Sequence, residues 1–165
     1  MDVVQLLVDQ HRQLEGRFAA ALKGLDVQPE QRRKRLAEIG DHLGVHLASE
    51  EEVFYPAVKQ ASTEDILLES LEEHLSLKRL LADLLALDPD DATYAAKLKV
   101  LAEQTEHHHR EEEEHLFPKV RELLASDRRE ALGREVCERQ LDMRRDPDET
   151  PREVIAQDTE RAAPL

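Results

Sequence analysis

The sequence is poor in cysteine, in long apolar runs and in aromatic residues, and its positive charge is outnumbered by negative, and each shortage excludes a class of protein. Its single cysteine, Cys137, has no partner for an intramolecular disulfide and no companions for a cysteine zinc cluster. Set in a charged amphipathic stretch, Cys137 reads as a small apolar residue. No apolar run approaches the roughly 20 residues needed to cross a bilayer. The start, Met1-Asp-Val-Val-Gln5, has neither the basic residues nor the apolar stretch of a signal peptide, so a cytoplasmic location is expected. Against 37 Asp and Glu stand 23 Lys and Arg, a formal net charge of −14. Such a surface repels phosphate backbones and anionic lipid, and neither nucleic acid nor membrane is expected as a partner. Aromatics make up 3% and charged residues 36%, with Leu dominating the apolar set, which favours helices over sheets. A length of 165 residues suits one domain with a real core.

What the sequence does contain is a motif written twice. His46-Leu-Ala-Ser-Glu50-Glu51-Glu52-Val53-Phe54-Tyr55-Pro56 returns 62 residues later as His108-His109-Arg110-Glu111-Glu112-Glu113-Glu114-His115-Leu116-Phe117-Pro118. A histidine and a glutamate four apart lie about one turn apart on one helix face, so each copy can aim an imidazole and a carboxylate at one spot. The repeat extends upstream. His11 precedes His46 by 35 residues and His74 precedes His108 by 34, and Leu14, Phe18 and Leu22 match Leu77, Leu81 and Leu85. The chain is thus two helix-pair halves. Neither can bury its apolar face alone, and stacked together they make an all-α, four-helix bundle.

The helical stripes follow this plan. Residues 2–24 carry Val4, Leu7, His11, Leu14, Phe18 and Leu22; a second helix starts at Pro29 and carries Leu36, Ile39, Leu43, His46, Glu50 and Phe54. A third, with Ser62 and Thr63 as cap candidates, carries Leu67, Leu71, His74, Leu77, Leu81 and Leu85. A fourth, after the break at 88–91, carries Leu98, Leu101, Thr105, His108, Glu112, Leu116 and Val120. Residues 1–125 form the bundle in this reading. Residues 126–143, with Leu132, Val136, Cys137 and Leu141, suggest a short accessory helix. Residues 144–165 are too polar to offset their ordering entropy by burial, and a flexible acidic tail or an extended arm is expected there.

A bundle interior holding two unpaired carboxylates costs several kcal/mol per charge, or forces a pKa far upward, and metal cations remove that penalty. Four imidazoles and two carboxylates exceed what one structural zinc needs and are too rich in nitrogen for calcium or magnesium. Two neighbouring first-row ions use the whole set, with iron favoured and manganese next. The ferritin-type template fits poorly, since Glu112-x-x-His115 occurs once and its counterpart ends in Val53.

His11, His46-x-x-x-Glu50, His74 and His108-x-x-x-Glu112, with the Phe-Tyr-Pro and Leu-Phe-Pro endings, resemble a hemerythrin-like (HHE cation-binding) domain over about residues 1–125. The resemblance implies an up-down-up-down four-helix bundle around two iron ions with a solvent-derived bridging oxygen, meeting dioxygen, peroxide or nitric oxide. The ligands it implies are His11, His46, Glu50, His74, His108 and Glu112. Two positions depart from the oxygen carriers of the family. Lys78 stands where they have a second histidine on the third helix, and Glu112 follows His108 by four residues where they have an aspartate at five. With one imidazole fewer, redox chemistry on peroxide or oxygen is favoured over reversible carriage, and weak peroxidase- or catalase-like turnover is left open. The alternatives are an oxygen or iron sensor signalling through the tail and an iron-binding module without turnover. Around the ligands, Glu15, Lys78, His42 and His115 are candidates for the first or second shell. His107, His109, Glu52, Glu111 and Glu114 read as surface. Glu51 and Glu113 recur and are placed to hold neighbouring histidines, and Tyr55 reads mainly as packing.

Overall fold

Asp2 accepts a hydrogen bond from the Val4 N–H at 2.8 Å and starts α1 (Val3–Lys23). A computed structural model describes residues 1–165, in which Pro29 opens α2 (Pro29–Ser49) at the position where a missing N–H costs nothing. From α2 the chain passes through a π-helical turn, Glu50–Phe54, into α3 (Tyr55–Val58). After α4 (Glu64–Ala86), the same sequence of events recurs: α5 (Tyr94–Glu111), a π turn at Glu112–Leu116, and α6 (Phe117–Leu123). α7 (Ser126–Arg145) and α8 (Pro151–Gln157) complete an all-helical fold. No helix is long and apolar enough to cross a membrane. Thr63 takes the N-cap position of α4, but its hydroxyl donates back to the Val58 carbonyl instead of capping the helix.

Four helices, α1, α2, α4 and α5, form a closed ring in which α1 packs on α2 and α5, and α4 packs on the same two. Their stripes make two separate apolar clusters. One contains Leu14, Phe18, Leu36, Ile39, Leu43, Leu77, Leu81 and Leu98; the other contains Val4, Leu7, Phe54, Leu67, Leu71, Leu116 and Val120. Along every helix the histidines and glutamates of the motif fall between the two.

The C-terminal segment departs from the expected flexible tail. α7 is a full 20 residues, burying Leu132, Val136, Gln140 and Met143 while Leu141 faces solvent, and α8 packs on α2 and α4. Its seat is a strip of α2 without side chains. A Cβ on Gly44 would lie 2.4 Å from the Pro151 carbonyl oxygen, and one on Gly40 would lie 2.9 Å from Arg152 Cβ. Thr150 and Glu153 form a capping box for α8, Ile155 enters the first cluster, and Arg152 donates to Asp41 at 2.8 Å. Farther on, Ala162, Ala163 and Leu165 lie against the second cluster. Counting apolar residues misses such a segment, because close backbone approach and polar anchors hold it.

Candidate metal centre

Each helix of the ring brings one imidazole to the layer between the clusters: His11 from α1, His46 from α2, His74 from α4 and His108 from α5, all at most 1% exposed. The outward nitrogens are all occupied. His11 Nδ1 donates to Glu113 at 2.7 Å, His46 Nδ1 to Gln10 at 2.9 Å, His74 Nδ1 to Glu51 at 2.9 Å and His108 Nδ1 to Glu73 at 3.2 Å. An acceptor on Nδ1 fixes the proton there and leaves the Nε2 lone pair pointing inward.

Inward, those lone pairs meet carboxylate oxygens. His46 Nε2 and His74 Nε2 lie 3.2 Å from the two oxygens of Glu50, and His11 Nε2 lies 3.3 Å and His108 Nε2 3.7 Å from Glu112 Oε2. His74 Nε2 and His108 Nε2 are 3.0 Å apart. Acceptor against acceptor is repulsive unless a proton or a cation stands between them. Both oxygens of Glu50, Glu112 Oε2, His11 Nε2 and His46 Nε2 are buried without a hydrogen-bond partner. The residues therefore fit a cation site: His11, His46, Glu50 and Glu112 form one group that could hold a metal, and Glu50, His74 and His108 another.

The π turns explain why each motif ends in proline. A proline lacks the N–H and crowds the carbonyl four residues back, so an ordinary α-turn cannot run smoothly into Pro56 or Pro118. A wider turn absorbs the conflict, with the Tyr55 N–H reaching Glu50 O and the Phe117 N–H reaching Glu112 O. Each π turn begins at a central carboxylate.

The electrostatics of the two carboxyls diverge. Burial, with Glu112 and Glu51 nearby, pushes Glu50 well above the usual carboxylate range. Burial alone would raise Glu112 too, but His108, His11 and His46 outweigh it and hold Glu112 below that range. Burial lowers His46 strongly and His74 less, because Glu51 opposes it there. At His108 burial is outweighed by Glu112 and Glu73, and the imidazole rises.

Two residues belong to this layer that the sequence reading put elsewhere. His109 is not a surface flank. It is 1% exposed and stacks on His11 with ring centroids 3.7 Å apart and an interplanar angle of 7°. Thr105, His109 and Glu112 share one buried face of the helix, a spacing of four and three that could have exposed it. Tyr55 is more than packing: its hydroxyl donates to Glu112 Oε1 at 2.7 Å and lies 3.1 Å from His74 Nε2.

The remaining candidates lie outside the central group. Lys78 is buried but turned to Glu51 at 2.9 Å and Asp158 at 2.6 Å. Glu15 pairs with Arg12 at 2.5 Å, and Arg12 in turn pairs with Glu113. His115 is exposed beside Glu111, His107 is exposed near Glu73, and His42 is half-buried on α2 away from the group. Glu51 and Glu113 do hold histidines, as their recurrence suggested.

Among curated proteins, the chain is 31% identical over 107 residues to the DNA nickase of Nostoc sp. (strain PCC 7120 / SAG 25.82 / UTEX 2576), a match covering 65% of this chain and 30% of that protein. The chain thus spans less than a third of that relative's length over the matched region. No solved structure matches it. Residues 2–120 match the hemerythrin HHE cation-binding domain, the span that carries the ring of imidazoles and both central carboxylates. On that match, the chain belongs to the hemerythrin HHE cation-binding domain family.

Proposed function

We propose that this protein is a non-haem di-iron protein that binds or reduces a small oxidant (dioxygen, peroxide or nitric oxide), with peroxide or oxygen reduction favoured over reversible carriage. The observation that carries the reading is the buried pair Glu50 and Glu112 facing inward imidazole nitrogens, with only one of their four oxygens, Glu112 Oε1, given a donor, by Tyr55. A bound iron pair supplies the electron changes and open coordination that such oxidants require. The chain's own residues do the rest. Glu51, Glu73, Gln10 and Glu113 hold the four imidazoles in place, the two apolar clusters exclude bulk water, and Tyr55 carries a proton at the edge of the layer. Lys78 is drawn off to Glu51 and Asp158, so this position adds no donor atom to the centre. The matched segment is a minor part of the Nostoc nickase and the net charge of −14 opposes DNA, so nicking is not part of this reading.

Elemental analysis after anaerobic iron loading should approach two ions per chain. The reduced protein should consume added peroxide over more than one turnover. A spectrum that appears and disappears with oxygen pressure over several cycles, with no peroxide consumed, would overturn the redox reading in favour of carriage.

One observation supports a sensor as the second reading. Asp158, just after α8, reaches His74 through Lys78 and Glu51, so occupancy of the centre has a route to the C-terminal segment. That reading requires protease sensitivity within residues 146–165 to change between stripped and loaded protein, which the first does not.

A further inference from the structure

Resting on the di-iron reading, we infer that His109 is a further metal ligand, and that it makes the two ion positions chemically unlike. The four imidazoles of the repeat each have one ring nitrogen satisfied by an outer acceptor. His109 has neither: both of its nitrogens are buried and unpartnered. If the ring served packing alone, a phenylalanine would stack on His11 equally well without burying two polar atoms. Its surroundings instead supply the rest of a metal site. His11, His46 and His109 each offer a nitrogen, and the three nitrogens lie within 4.8 Å of one another.

The consequence follows from the repeat. The counterpart of His109 in the first motif is Leu47, and the counterpart of Tyr55 in the second is Phe117. Each copy therefore turns one polar departure from the twofold pattern into the buried layer, and the two fall on opposite sides of the centre. His11, His46 and His109 make a three-imidazole position. His74 and His108, with the Tyr55 hydroxyl beside them, make a two-imidazole position, and Glu50 and Glu112 lie between. A fifth imidazole thus enters from α5, not from the Lys78 position on α4.

Cobalt(II) titration of the full chain, followed by equilibrium dialysis and visible absorption, tests this. The variants are His109→Phe and His109→Ala, with the exposed His107→Ala as control. Wild type and His107→Ala should bind two ions of unequal affinity. His109→Phe should keep the stripped protein's helix content while one ion loses at least about tenfold in affinity, with its part of the spectrum changed and the other ion unaffected. Added imidazole should restore that ion in His109→Ala, where the deletion leaves a cavity. If His109→Phe fails to fold, His109→Ala with and without imidazole makes the same discrimination. Wild-type affinities and spectrum in His109→Phe would overturn the proposal. So would a variant that only loads faster or slower, because His109 also lines a groove of about 210 Å³ between α1 and α5, and a change of rate alone would make it a groove residue. If wild type itself binds a single ion, the di-iron reading falls, and His109 is then judged on that ion: loss in His109→Phe supports its role as a ligand and retention ends it.

Discussion

Glu50 and Glu112 hold equivalent places in the repeat, yet only Glu112 receives a hydroxyl, from Tyr55. Glu50, raised by burial, keeps a proton in the stripped fold that an unfolded carboxyl near 4.5 has lost. Its contribution to stripped-state stability is therefore full below about pH 4.5 and is lost as pH rises through the folded value. A cation displaces that proton, so metal affinity should rise with pH, with His108 adding to the effect because its pKa is also raised. Calorimetry in buffers of different ionisation enthalpy should show proton release on binding at neutral pH, reduced in Glu50→Gln; heats independent of the buffer would sink this account. Tyr55→Phe removes a donor to a buried carboxylate and should cost about 2 kcal/mol in urea unfolding of the stripped protein. The six candidate residues of the repeat were legible in sequence because their spacing brings them to one level. His109 and Tyr55 were not, because they are the residues that break the repeat, and only three-dimensional packing reveals which breaks face inward.

At the scale of elements, the four long helices could be read from their stripes, whereas the seat of α8 is made of what α2 lacks. Gly40 and Gly44 are one turn apart on the face that α8 covers, and periodicity counts them as silent. Gly44→Ala puts a carbon against the Pro151 backbone, which has no flexible end to move aside. It should lift α8 and destabilise the protein by about 2 kcal/mol, with faster proteolysis after residue 146. Gly16→Ala, on an open helix face with nothing within 4 Å, should instead stabilise by about 0.5–1 kcal/mol. Equal effects at the two glycines in thermal or urea unfolding would refute the docking account. Deleting residues 147–165 should cost more than Gly44→Ala, because it also strips Lys78 of Asp158 and exposes both clusters where Ile155 and Leu165 cover them.

For the whole molecule, the centre interrupts the core. A continuous apolar core would couple both ends of the ring; here a layer of imidazoles and carboxylates lies between the two clusters. Without a cation, that layer is held only by the Tyr55 hydroxyl and the few protons its carboxyls and imidazoles retain, and contributes little cohesion, so the clusters are joined mainly by the helices that run through both. Two cations, one in each candidate group, would together link side chains from all four helices at one level and make the two ends a single cooperative unit. Each ion present at about 100 times its Kd adds about 2.7 kcal/mol, and at roughly 2–4 °C per kcal/mol for a chain of this size the melting temperature should rise by ~5–10 °C for each. Hydrogen exchange gives the sharper test. On metal removal, amides around His11, His46, His74 and His108 should lose protection together, on four helices far apart in sequence, while the interiors of the two clusters lose less. Loss confined to one helix, or equal melting temperatures for loaded and stripped protein at neutral pH, would mean that the centre is a passenger in a bundle that does not need it.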